Sequence, residues 1–178
     1  MPWSLFRRSR DDRSLAWWRD ADRVAAEPSA ERIAALRTSM ASPDTAPDEA
    51  DRQAELVEGL DRLLELVAAA RLPEVVTQHR VIAGDRCHFI APASLVGPAA
   101  VAGKLLLTSS RAIFVGATVT AWPWHRVRGV VRQDRDLVLT ILGSDLLVVR
   151  CNTYGDALEA GFLAGRLAAA GSANGGRP

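Results

Sequence analysis

Lysine is almost missing from this chain: Lys104 is the only one among 22 basic residues. Arginine in the company of abundant alanine, glycine and valine reflects coding bias, so it argues less for phosphate binding than usual. Net charge of one sign is missing as well. A formal balance of +1 excludes the footprint of a strongly basic nucleic-acid protein. There are two cysteines, Cys87 and Cys151, in no spacing motif, which reads as buried thiols in a reducing compartment. No window approaches the ~20 apolar residues of a spanning helix, and the opening MPWSLFRRSR has no apolar run of signal-peptide length. The expectation is a cytoplasmic protein, with a place at the inner face of the membrane left open.

Catalytic signals are scarce too. Ser94, Ser109, Ser110 and Ser144 sit in turn-like settings outside any Gly-x-Ser-x-Gly elbow, and no glycine-rich loop has phosphate-cradling spacing. Cys87 and His88 are neighbours, but adjacent strand residues face opposite ways and further ligands are missing nearby, so Cys87 is expected buried with His88 outward. The chain reads as no enzyme, with no cofactor and no metal.

What is present is unevenly distributed. Asp11 to Ala70 holds 7 Arg against 14 Asp plus Glu, net −7, whereas Pro73 to Pro178 holds 11 basic against 7 acidic residues, net +4. Such halves either complement each other or are separately solvated. Residues 1–10 read as a flexible tail in which Trp3 and Phe6 beside Arg7 and Arg8 have the composition of an interfacial anchor. Residues 11–72 read as helical. Ser14 is placed to cap a helix that Pro28 stops, Ser29 to Met40 makes a second, and Thr45 with Asp48 opens a third. The third has Leu56, Val57, Leu60, Leu63, Leu64 and Val67 in one stripe, which needs a cover: the barrel, the short helices or a second copy.

From about residue 74 the texture is that of short antiparallel strands: 85–95, 103–108, 111–116, 118–123, 126–133, 136–142 and 145–150. Turn residues at Ser109-Ser110 and Gly143-Ser144-Asp145 separate them. Thr153 and Asp156 have capping-box spacing for a terminal helix, and residues 170–178 read as a disordered tail. LPEVVTQHRVIAG either continues the long helix past Pro73 or adds a strand.

Within this region Gly103-Lys104-Leu105-Leu106-Leu107-Thr108-Ser109-Ser110-Arg111-Ala112-Ile113-Phe114 resembles the G-x-L-x-L-T-x-x-R-L-x-F signature of GRAM and bacterial PH-like domains. Trp122-Pro123-Trp124-His125-Arg126-Val127 is similar to their I-P-W-x-x-I strand start, and the last helix falls where theirs does. The resemblance covers about residues 74–169. Ala112 departs from it, standing where the family usually has a larger aliphatic residue. It implies an α+β protein whose 73–169 domain is a PH-like, partly open seven-stranded barrel capped by a C-terminal helix, after an N-terminal helical segment. It also implies a non-catalytic module for membrane lipids or proteins.

The candidate site is the strand after Trp-Pro-Trp. Strict alternation puts Trp124, Arg126, Arg128 and Arg132 on one face, a row of guanidiniums beside an indole that would grip lipid phosphates or an acidic partner. The competing reading is a solvated face whose arginines pair with Asp134 or Asp136. Trp122 is expected to point inward. The expected role is adaptor or recruitment domain for a protein partner or an anionic lipid surface, with no nucleic acid. The alternatives are a small-molecule-binding protein or undetected enzyme using the barrel interior, and a structural homodimer joined through the helices.

Overall fold

The computed structural model describes residues 3–40, 46–82, 84–144 and 146–174, with the side chains of residues 3–13 and of Asn174 outside that description. The chain divides into two compact units between Ala68 and Ala69.

The first unit consists of α1 (Trp3–Ala26), α2 (Ala30–Thr38) and α3 (Pro47–Ala68). The stretch expected as a flexible tail is helical from Trp3 onward. Ser14 therefore lies inside α1 and caps nothing; its hydroxyl donates to the Glu49 carboxylate. Pro28 ends α1 as expected, and Ser29 caps α2 by accepting the Arg32 N–H at 3.3 Å. Pro47 opens α3 at the one helical position where a missing N–H costs nothing, while Thr45, the expected cap, lies outside the described residues. Leu56, Val57, Leu60 and Leu63 of the α3 stripe are buried with Ile33 and Leu36. Of the adjacent tryptophans, Trp17 turns inward and donates its indole N–H to Leu36 O at 3.3 Å. Trp18 stacks edge-on against it, ring centroids 5.0 Å apart.

The second unit is β1 (Cys87–Leu95), β2 (Val101–Thr108), β3 (Arg111–Val115), β4 (Val119–Pro123), β5 (Val127–Gln133), β6 (Asp136–Ile141), β7 (Leu147–Cys151) and α4 (Tyr154–Asn174). Neighbouring strands are antiparallel in the order β4-β3-β2-β1-β7-β6-β5. This is the PH-like fold expected: β4 and β5 remain unjoined, and α4 fills the opening. Thr153 caps α4 by accepting the Asp156 N–H at 2.9 Å. The helix then buries Ala157, Ala160, Leu163, Ala164 and Leu167 against Phe89, Leu105, Leu107, Phe114, Leu137, Leu139 and Val149. It continues past residue 169 to Asn174, where a disordered tail was expected, because Gly171 packs directly on Trp124. A Cβ at Gly171 would stand 2.5 Å from Trp124 Cβ, so the helix approaches this closely only with glycine there.

Residues 73–79 and 84–86 lie in neither helix nor strand. With the 3-10 turn at Arg80–Ile82 between them they form a strap that makes one ladder-like bond, Val75 N–H to Cys87 O at 2.8 Å. Val75, Val81 and Ile82 cover Cys87, Leu106 and Ile113 on the outer face of β1–β3. This second, smaller core explains why Leu106 is fully buried although it points away from the barrel interior.

Candidate functional site

β5 does not keep the alternation its sequence suggests. Val127 pairs with Ile141 and Gly129 with Thr140, so the register shifts by one residue at Arg128. A bulge of this kind swaps the faces of everything after it. Val130 and Arg132 consequently turn inward, opposite Leu139 and Leu137, while Val131 turns out opposite Val138 and is 60% exposed. The expected row of guanidiniums on one face does not form.

The four residues of that row have separate fates. Trp124 is 1% exposed and belongs to the core, which corrects its assignment as a surface anchor. Pro123 ends β4 with extended dihedrals, and the 3-10 turn Trp124–Arg126 swings the indole beneath the barrel. There its N–H donates to Thr108 O at 2.7 Å. Arg126 donates to Leu142 O at 2.9 Å while its own carbonyl accepts the Leu142 N–H at 2.8 Å, so it fastens the β6–β7 turn. Arg132 lays its stem along Gly161 of α4 and donates to Asp134 O at 2.8 Å. Arg128, the bulge residue, is exposed and has no hydrogen-bond or ion-pair partner among the described residues. Asp136, the expected partner for these arginines, is instead held in two bonds by Arg150 of β7, at 2.7 and 2.8 Å. That pairing raises the Arg150 pKa. Trp3, Phe6, Arg7 and Arg8 lie in the first turns of α1 with side chains outside the described residues.

The bulge creates something that alternation alone hides. Val131 faces Val138, Val138 faces Val148, and the Val96 N–H donates to Val148 O at 2.9 Å. Three valines thus form one cross-strand row on the outer face of β5–β6–β7, and Val96, just past the end of β1, is bonded to its third member through the backbone. Val96 is 45% exposed, Val138 and Val148 are half-buried, and Leu146 beyond them is 64% exposed. Single exposed aliphatics are ordinary on a protein surface; here Val131, Val96 and Leu146 are exposed on neighbouring strand ends.

A polar cluster stands at the other end of β1. His88 is only 7% exposed, contrary to its expected outward position, because a register irregularity between Cys87 and Phe89 breaks the alternation there too. Its Nδ1 lies 2.7 Å from Pro73 O and its Nε2 2.8 Å from Ser109 Oγ. A carbonyl only accepts, so Nδ1 carries the proton and Nε2 accepts from the Ser109 hydroxyl. This resembles the oriented base of a nucleophilic serine. Beside it the Ser110 N–H donates to Asp85 at 3.1 Å, as does the Ser110 hydroxyl. Burial raises the Asp85 pKa, but hydrogen bonds from the Ser110 and Thr108 hydroxyls and from the Ser110 and Arg86 N–H groups outweigh it and hold the carboxyl below its usual range. The cluster clips the strap to the β2–β3 turn.

In the helical unit a cleft of about 680 Å³ is lined by residues of α1 and α2, with Arg23 paired to Asp20 and Arg32 to Glu27.

Neither a family model nor a curated protein matches this sequence. Among solved structures, the C-terminal domain of an unknown protein from Leishmania infantum is 11% identical over 49% of this chain and 88% of its own, at a TM-score of 0.43. The linker-DH/PH domains of p115-RhoGEF, in an N-terminally truncated form, are 12% identical over 79% of this chain and 54% of theirs, at 0.43. A DH/PH fragment of PDZRHOGEF in complex with human RhoA is 9% identical over 91% of this chain and 54% of its own, also at 0.43. The chain spans about half the length of these DH/PH structures. At such identities and TM-scores the likeness adds nothing to what the strand order itself shows.

Proposed function

We propose that this chain is a non-catalytic binding module that recruits a protein partner through the outside of its PH-like barrel. The observation that carries the reading is the outer-face row Val131, Val138 and Val148, exposed at Val131 and half-buried at the other two, with Val96 exposed next to it and Arg128, exposed on the same strand, without a partner among the described residues. An apolar centre with a cationic rim is the usual anatomy of a protein docking surface. The interior offers less: Phe89, Leu105, Leu107, Phe114, Leu137, Leu139 and Leu163 fill it at 0–3% exposure, which counsels against a small-molecule role. The GRAM-type signature at Gly103–Phe114 supports the same class of role.

A second reading, an anionic membrane surface, is favoured by one feature: the segment with Trp3, Phe6, Arg7 and Arg8 opens a helix, the form in which interfacial anchors lie on headgroups.

Photo-crosslinking in the native cell tests both. A photoreactive residue introduced at Val131 is expected to give a protein adduct of defined mass, and one at Val76, 97% exposed on the strap, none. Lipid adducts from Val131 would move the reading to the membrane. Equal adducts from both positions would overturn the assignment of the face, and an adduct of twice the chain mass would point to the homodimer.

A further inference from the structure

The β2–β3 turn carries two serines with different partners. Ser109 donates its hydroxyl to His88 Nε2 at 2.8 Å, and Ser110 donates its hydroxyl to the Asp85 carboxylate. Both serines are exposed, whereas His88 is buried. The two partners differ as bases. Hydrogen bonds hold the Asp85 carboxyl below its usual range, so it is too weak a base to take a hydroxyl proton. A neutral imidazole with a bare Nε2 is able to take one. The Pro73 carbonyl, 2.7 Å from Nδ1, fixes that tautomer and stabilises the imidazolium that forms when the proton arrives.

The amides of the turn are not available to an oxyanion. The Ser109 N–H donates to Arg86 O at 2.9 Å, the Ser110 N–H to Asp85 at 3.1 Å and the Arg111 N–H to Thr108 Oγ1 at 3.1 Å. Each missing oxyanion donor costs about 10²–10³ in rate. Unactivated esters and amides are therefore out of reach of this pair, and an ester formed on Ser109 would be hydrolysed slowly for the same reason.

We propose that Ser109 is a self-acylation site, an exposed nucleophile activated by His88 that takes one acyl group from an activated donor of the thioester class and keeps it. In that step the bond from Ser109 Oγ to the acyl carbon forms and the carbon–sulfur bond breaks. The hydroxyl proton passes to His88 Nε2 and from there to the departing thiolate, which leaves as the thiol with His88 neutral again. Acylated Ser109 has no proton to donate, so Nε2 loses its buried partner and the clip from the turn to Pro73 of the strap weakens. The site does not rest on the valine row, which the adducts from Val131 and Val76 test separately.

The test mixes the full chain with p-nitrophenyl acetate, an activated acetyl ester whose leaving group is coloured, beside N-acetylserinamide as the reference serine. Release of p-nitrophenolate is expected to stop at one equivalent per chain, at a rate about a hundredfold or more above the reference, the scale of a general base. Peptide fragmentation should place the acetyl on Ser109, within the tryptic peptide Leu105–Arg111. Ser109→Ala should lose the reaction, Ser110→Ala keep it, and His88→Gln slow it by about a hundredfold or more. In the acetylated chain the Val75 amide should exchange faster with solvent. A rate equal to the reference, which needs no variant to measure, would overturn the site. So would acetyl spread over Lys104 and both serines, release running past one equivalent, or an unchanged rate in His88→Gln. Unchanged exchange at Val75 would overturn the link to the strap.

Discussion

The outer faces of the two halves of the sheet are built from the same kind of residue and end in opposite states. Over β1–β3, Cys87, Leu106 and Ile113 are buried by Val75, Val81 and Ile82 of the strap. Over β5–β7, Val131, Val138 and Val148 have comparable hydrophobicity and no such strap among the described residues. Intrinsic strand preference is the same on both sides, since β-branched and aliphatic residues suit any pleated surface. What separates them is a segment without regular structure, held by one backbone bond at Val75, the His88 bridge from Pro73 to Ser109, and the Asp85 cap on the β2–β3 turn. A covered outer face adds a second core and stability; an uncovered one leaves area for a partner.

The largest effect that tests this contrast lies under the strap. Leu106→Ala should cost about 2–5 kcal/mol, the range for deleting a fully buried leucine, read as a lower urea midpoint with an unchanged slope. A cost under about 1 kcal/mol would mean that the strap does not close over the sheet in solution, and the outer faces would then be equivalent.

The two cysteines sharpen the contrast on a smaller scale, one in each core. Burial pushes the Cys87 thiol up, and pushes Cys151, on the inner face of β7, up to about 12. A raised folded value means that the thiol's contribution to stability is complete below the unfolded value near 9. It is lost as pH rises, because the unfolded chain ionises first. Stability should therefore fall by about 1.4 kcal/mol per pH unit above pH 9 through Cys151, and the slope should be shallower by that amount in Cys151→Ala. Equal slopes would show that Cys151 is reached by water in the folded protein.

These contrasts also mark how far the sequence can be read. Ser29, Pro28 and Thr153 announce helix boundaries through side chains that act on their own backbone neighbours, and those boundaries hold. Seven strands are legible because hairpin turns at Ser109-Ser110 and near Gly143 punctuate them locally. The face each strand presents is not legible wherever a register shift intervenes. At Arg128 and between Cys87 and Phe89 one residue is added or lost against the partner strand, which no residue type in VRGVVRQ or CHF declares. The arginine row and the outward His88 failed for that one reason. Trp124 failed for a related one: Pro123 ended the strand, and a 3-10 turn replaced the twofold repeat on which its exposure was argued. The strap is hidden because its apolar residues, Val75, Val81 and Ile82, follow neither period.

The smallest expected change is on the open face. Val131→Thr keeps the β-branch and replaces a methyl that is mostly in water, so unfolding free energy should stay within about 0.5 kcal/mol of the parent. Its neighbour in the row, Val138, is half-buried between Val131 and Val148, and the cross-strand packing that the missing methyl provided is worth only a few tenths of a kcal/mol. The same substitution should nevertheless weaken any partner that covers the row, because the hydroxyl would have to give up water on docking without a partner of its own. A stability loss as large as that of Leu106→Ala would mean that this face is buried within the protein itself, by a surface other than the strap. The row would then belong to the fold, and the docking surface would have to be sought elsewhere on the protein.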